Sequence, residues 1–398
     1  MMKIYTCAVQ PFTTEPHFFA RDSGLMCLTF RDLGHESKVI LPALPDGPTD
    51  ESDLVIRASM AELTNPTWWK GLRIDAVAFS CEAFKEFIPM IRAAKQSGTK
   101  TCVVFDSSNE LFPYFEVLSS IQCLWRKGLL SESMPRRIVG TAARTIVFAA
   151  KGLISNYHAA MIARLPDLAV FNTPNTLARA RRRERLFFWL RPSSNMLFLG
   201  YPVSAEFQPA PLEQRKEQVV AVARWDAVRH KRPHVLMKVV EGVVAQQASA
   251  SFAIYGKTPD YMIRWHANLP NAIKARVNLA GLRPIQTVAA TIAESMILYC
   301  PSAREGLPFP VVEALCAGCT VVGLNTPDVP GLAWAFQEGD GTPAVRDSVE
   351  AHIGAVGEEL GKWRTGQRKP PKIAKKWAQW FSAPVVCRRL IESIECKT

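Results

Sequence analysis

The stretch Glu305-Gly-Leu-Pro-Phe-Pro-Val-Val-Glu313-Ala-Leu-Cys-Ala-Gly-Cys-Thr-Val-Val322 decides how the chain is built. Pro310 fits the first position of a helix, where its missing N–H is not needed, and Gly318 can take the left-handed conformation that closes one. This predicts a helix over 310–317. Val311, Val312, Ala314, Leu315 and Ala317 leave that helix no polar face, yet Glu313 lies within it. A buried carboxylate needs hydrogen-bond donors. The two hydroxyls of a ribose would satisfy Glu313 at the floor of a nucleotide pocket; an Arg or Lys from elsewhere in the chain would do so too. Glu305 precedes the helix, and Gly306 to Pro308 leave the N–H groups of its N-terminus open to an anion.

Upstream of this stretch, short β-rich runs alternate with helix-length segments: Val219–Ala223, Phe252–Tyr255, Val277–Ala280 and Met296–Cys300, with Thr320–Leu324 after it. Such alternation means a parallel sheet covered on both faces. The residues at the carboxyl end of each strand are informative: Arg224-Trp-Asp226 and Arg229-His-Lys-Arg232, then Gly256-Lys257, Gly281-Leu-Arg283, and Pro301 to Gly306. Cations and glycines at successive strand ends describe a site for a phosphate-bearing ligand. The first half repeats the pattern with strands expected at Lys3–Val9, Ser37–Leu41, Ala76–Phe79, Thr101–Phe105, Leu168–Phe171 and Met196–Leu199, and helices such as Ser23–Leu33 and Glu82–Gln96. The chain is therefore expected to be α/β, with two Rossmann-like parallel-sheet domains facing across a cleft. We place them at residues 1–204 and 218–372, with a Pro-rich linker over 205–217 and a helical segment over 373–398, broken at Pro384.

The chain has 398 residues, 48% of them hydrophobic, which excludes disordered and fibrous classes. No apolar run reaches the ~18 residues of a membrane span, and the N-terminus lacks the pattern of a secretory signal, so a cytoplasmic location is expected. Ten cysteines lie mostly in apolar runs and read as buried thiols; Cys316-Ala-Gly-Cys319 has no second pair and reads as core. Gly339-Asp-Gly341 has no strand before it and reads as a turn. The seven histidines show no spacing that assigns them to chemistry. The net charge of +12 is concentrated: residues 121–192 hold thirteen Lys or Arg against Glu132, Asp167 and Glu184. There the runs Trp125-Arg-Lys127 and Arg179-Ala-Arg-Arg-Arg-Glu-Arg185 mix with Leu186, Phe187, Phe188 and Trp189, a combination suited to an anionic membrane surface or to a solvated basic face. No nucleic-acid-binding motif accompanies the charge.

The pair Glu305 and Glu313 has the Glu-x7-Glu spacing of the GT-B retaining glycosyltransferases of family 4, the glycosyltransferase group 1 type, and the C-terminal half resembles them. Arg224 and Lys231 resemble the Arg and Lys that hold the donor diphosphate, and Tyr255-Gly256 and Ala280-Gly281 resemble their glycine-terminated strands. The linker stretch Leu199 to Pro209 is similar too, as is Gly34-His35-Glu36 after the first helix, while Asp22-Ser-Gly24 takes the place of a glycine-rich turn. The resemblance implies transfer of a sugar from a nucleotide-diphosphate sugar, UDP- or GDP-linked, to a glycan or lipid-linked glycan, with retention of configuration. It implies that Arg224 and Lys231 stabilise the leaving diphosphate, aided by the backbone of Gly306 and Leu307. Glu305 would hold the sugar and Glu313 the ribose, with Gly24, Gly256 and Arg283 completing the donor site. Asp106, standing where many relatives carry a His-Asp pair, is the alternative to a phosphate oxygen as acceptor of the proton. No cofactor is implied, and no Asp-x-Asp metal motif accompanies the site. A sugar-nucleotide epimerase and a non-catalytic binding or scaffold protein of the same fold are the other readings.

Overall fold

A computed structural model describes residues 1–8, 18–43, 53–81, 85–105, 153–188, 193 and 195–396. Two parallel sheets organise them. The first contains β1 (Ile4–Ala8), β2 (Val39–Pro42), β3 (Val55–Ala58), β4 (Ala76–Cys81), β5 (Lys100–Phe105), β6 (Leu168–Phe171) and β7 (Met196–Phe198), in the order β3-β2-β1-β4-β5-β6-β7. The second contains β8 (Lys216–Val222), β9 (Ser251–Tyr255), β10 (Val277–Gly281), β11 (Ser295–Cys300), β12 (Thr320–Leu324) and β13 (Gly341–Ala344), in the order β10-β9-β8-β11-β12-β13. In both, the order reverses beside the first strand, and the crevice at that switch point is where doubly wound sheets bind ligands.

The strands follow the burial of their side chains. Val219, Val220, Ile254, Ile297, Leu298, Val321 and Val322 are fully or almost fully covered, which requires helices on both faces. Two edge strands, β3 and β13, go beyond those expected from the sequence. The strand expected from Val219 begins earlier: Lys216 and Glu217, read from the sequence as linker, open β8, which pairs Lys216 with Ser295 and Gln218 with Ser251. The helix Phe309–Cys316 begins one residue earlier than predicted, so Pro310 is its second residue, and Gly318 closes it at φ +79°.

Where one broken segment is expected over 373–398, two helices stand, Pro370–Phe381 and Ala383–Glu395, with Ser382 rather than Pro384 at the break. The first packs beside Phe309–Cys316, and the second packs on the helix Asp22–Asp32 of the first domain, where Cys387, Leu390 and Ile391 join Met26 and Phe30 in one core. Thus the chain crosses between the halves twice. The crossings touch: the Val203 N–H donates to the Phe381 carbonyl at 2.7 Å and the Ala383 N–H to the Val203 carbonyl at 3.1 Å. Phe198, Trp334, Trp377 and Trp380 pack as an aromatic cluster nearby, with ring centroids 4.9–6.4 Å apart. Among the described residues no helix is long and apolar enough to cross a membrane.

Candidate active site

A cavity of about 530 Å³ opens between the strand ends of the second sheet and the loop before the helix Asp22–Asp32. That volume is in the range that small organic ligands occupy. Of the residues singled out in the sequence, Arg224, Lys231, Gly256, Arg283, Glu305, Gly306 and Leu307 line it. The cavity floor exists because β8 and β9 end together. Gly256 has φ +110°, and a Cβ there would lie 1.9 Å from the Ala223 carbonyl oxygen, so only glycine lets the two backbones meet. Trp225, fully buried, donates its indole N–H to the Tyr255 carbonyl at 2.8 Å and fixes the turn that carries Arg224. Among the described residues Arg224 makes no ion pair, whereas Lys257 pairs with Asp226 at 2.8 Å. That pairing holds the Asp226 carboxyl below its ordinary range.

Lys231, at the end of the short helix Val228–Lys231, is paired directly with Glu305. Glu305 also accepts from the Ser302 hydroxyl at 2.9 Å, and its own N–H donates to the Asp328 carbonyl at 2.9 Å. Both side chains are largely covered yet still reach the cavity. A ligand bearing phosphate and hydroxyl groups would offer each of them a new partner. Arg232 comes next in the left-handed conformation, φ +51°, and its guanidinium pairs with Asp347.

Glu313 is buried, as its apolar neighbours required, and its partner in this structure is Arg21. The guanidinium lies 2.8 Å from both carboxylate oxygens, across the cleft from the other domain. Burial pushes the Glu313 carboxyl above the ordinary range, against the opposing pull of the Arg21 guanidinium. Of the two partners the sequence allows, ribose or an intramolecular cation, the structure shows the cation. Arg21 itself lines the cavity, so Glu313 lies behind it. Sequence reasoning missed Arg21, which stands 292 positions from its partner and carries no local signal.

Gly24 does not line the cavity; a Cβ on it would lie 2.3 Å from the Phe18 carbonyl oxygen, so it serves the packing of the loop against its helix. Asp106 lies outside the described residues. In the basic run, Arg181, Arg182 and Arg185 are exposed, but Arg183 is buried, and the Arg179 guanidinium donates to the Pro327 carbonyl of the second domain. Cys316 and Cys319 are buried, and Cys319 Sγ takes part in hydrogen bonds with Arg215 and with the Ile292 and Ser295 carbonyls.

Residues 216–357 match the family model of the glycosyl transferases group 1. Comparison with curated proteins gives no match. Among solved structures, the whole chain is similar to the whole of the Anabaena protein HepE crystallised in complex with UDP and glucose, at 12% identity and a TM-score of 0.66. It is likewise similar to the lipopolysaccharide outer core galactosyltransferase WaaB, at 15% identity and 0.62, with both chains covered in full. A sucrose-phosphate synthase from Thermosynechococcus elongatus superposes over 100% of this chain and 99% of its own, at 12% identity and 0.62. The fold is the GT-B architecture of two parallel-sheet α/β domains.

Proposed function

We propose that this chain is a retaining, metal-independent glycosyltransferase of family 4 that transfers a sugar from a UDP- or GDP-linked donor to a glycan or lipid-linked glycan. The observation that carries the reading is the meeting of Arg224, Lys231 and Glu305 on one cavity, at the strand ends of a domain that matches the group 1 family model. The solved relative with UDP and glucose bound supports a nucleotide-sugar donor.

Breaking the bond between sugar and diphosphate develops negative charge on the leaving oxygens. Arg224 offers a fork that spans two phosphates, and Lys231 adds a compact charge once phosphate competes with Glu305 for it. Glu305, released from that pair, accepts hydrogen bonds from the sugar's hydroxyls, while the open N–H groups at Gly306 and Leu307 face the phosphates. The acceptor's proton leaves to a phosphate oxygen, or to Asp106.

Leu153, Ile154, Tyr157 and Leu186 are exposed apolar side chains, and Tyr157 meets Phe187 at 6.1 Å, joining the helix over 153–164 to the helix Pro174–Phe188. With Arg181, Arg182 and Arg185 exposed on the second helix, this face suits peripheral seating on an anionic membrane, on the cytoplasmic side.

The test of the transferase reading is thermal unfolding with UDP, GDP, ADP and CMP sugars, on the wild type and on Arg224→Ala. One nucleotide class at 100 times its Kd should add about 2.7 kcal/mol of stability, and the variant should lose most of it. Product NMR with that donor then reads the anomeric configuration. No stabilisation by any of the four classes would replace the reading with that of a non-catalytic binding protein.

A further inference from the structure

Arg21 combines features that its role as a counter-ion for Glu313 does not use. It lines the cavity together with Arg224 and Lys231, and its side chain keeps 35% of its surface exposed. Its Nη2 serves both oxygens of Glu313, while its Nε is buried and has no hydrogen-bond partner among the described residues. The guanidinium carbon lies 5.9 Å from the centre of the Phe309 ring, at the helix start that the cavity also touches. The backbone beneath is constrained as well: Asp22 has φ +52°, a conformation that non-glycine residues hold only where the surroundings enforce it. A five-donor fork is thus fixed at the cavity wall with donors to spare.

The second pair in the cavity has the same form. Lys231 neutralises Glu305 as Arg21 neutralises Glu313, so each carboxylate is engaged by a cation that a phosphate would attract. We propose that Arg21 is a diphosphate-binding residue supplied by the first domain, which leaves Glu313 for the donor's phosphates when the ribose hydroxyls take its place there. The inference rests on the donor-site reading and adds to it a ligand from the opposite domain. Because the released cation and the released carboxylate are both satisfied by one ligand, a molecule carrying only a nucleoside or only a diphosphate completes half of the exchange. A whole nucleoside diphosphate completes it and changes what holds the cleft together.

The test is calorimetric titration with inorganic pyrophosphate, which needs no knowledge of the base. It compares wild type, Glu313→Gln, Arg21→Gln and the double variant. Glu313→Gln frees Arg21 and should tighten pyrophosphate binding about tenfold, whereas Arg21→Gln should weaken it by a similar factor. In the double variant the gain from Glu313→Gln should vanish. If that gain persists without Arg21, it comes from lost negative charge alone and the proposal is overturned; unchanged affinity in Glu313→Gln, or no pyrophosphate binding by the wild type, overturns it as well. The double variant leaves no uncompensated buried charge, which guards against misfolding of Arg21→Gln. A wild type that binds pyrophosphate with this pattern but no nucleotide sugar would sink the transferase reading and leave the Arg21 assignment standing.

Discussion

At Gly256 the chain turns out of β9 with no room for a side chain, because the Ala223 carbonyl occupies the space. Gly256→Ala should therefore cost about 2–4 kcal/mol, read as a lower midpoint of denaturant unfolding, and should misplace Arg224 as well. His352 makes a different prediction. It is fully buried, both ring nitrogens lack hydrogen-bond partners among the described residues, and burial, with Arg232 facing it, brings its pKa down to about 4 although Asp347 pulls the other way. The unfolded chain takes up the proton near pH 6.5 and the folded chain does not until about 4. Stability is thus full above 6.5 and declines through that interval, by on the order of 3 kcal/mol from this group. His352→Phe should flatten that part of the pH–stability curve in chemical denaturation. Residues differ in how far their neighbours in sequence reveal them. Glu305 and Lys231 are legible because each stands in the short segment that follows a strand, whereas Arg21 acquires its meaning only when the domains meet. Arg183 is hidden in its run of cations, although its helix turns it inward with Ala180 and Glu184, a spacing of three and one that could have marked it.

Among the elements, the alternation of apolar runs and helices is enough to predict both parallel sheets, since strands covered on two faces must be continuously apolar. The strands it misses are at the edges, where that rule relaxes: β3 carries Arg57, whose guanidinium turns back to the Pro42 carbonyl at 3.1 Å, and β13 contains Pro343. The polar start of β8 escapes for a similar reason. Lys216 and Glu217 emerge at the sheet end into ion pairs with Glu294 and Arg364, at 2.5 and 2.7 Å. The last helix supplies its own test. Val386, Cys387, Leu390, Ile391 and Ile394 are buried, several against Met26 and Phe30, so a chain ending at Phe381 would leave that surface of the first domain uncovered. Truncation there should lower the melting temperature by more than about ten degrees and promote aggregation, measured by differential scanning calorimetry and light scattering.

For the molecule as a whole, charge and shape divide the labour between the two faces of the first domain. One meets the second domain through Arg21, at the cavity wall, and through Arg179, at the Pro327 carbonyl; the other carries Leu153, Ile154, Tyr157 and Leu186 with exposed arginines. Reversing Arg181, Arg182 and Arg185 to Glu should abolish sedimentation with anionic vesicles while leaving pyrophosphate affinity within about twofold. Arg183 is not among the choices, since a buried Glu there would test folding instead. The paired crossings at Val203 and Ser382 have a mechanical consequence. Two straps lying side by side resist twisting and permit swinging, as a door on a hinge does, so opening of the cleft is confined to one direction. They also make the linker covalently redundant. A chain nicked in the exposed segment Pro211–Gln214 should stay in one piece through gel filtration, because the severed second fragment still grips the first with its tail.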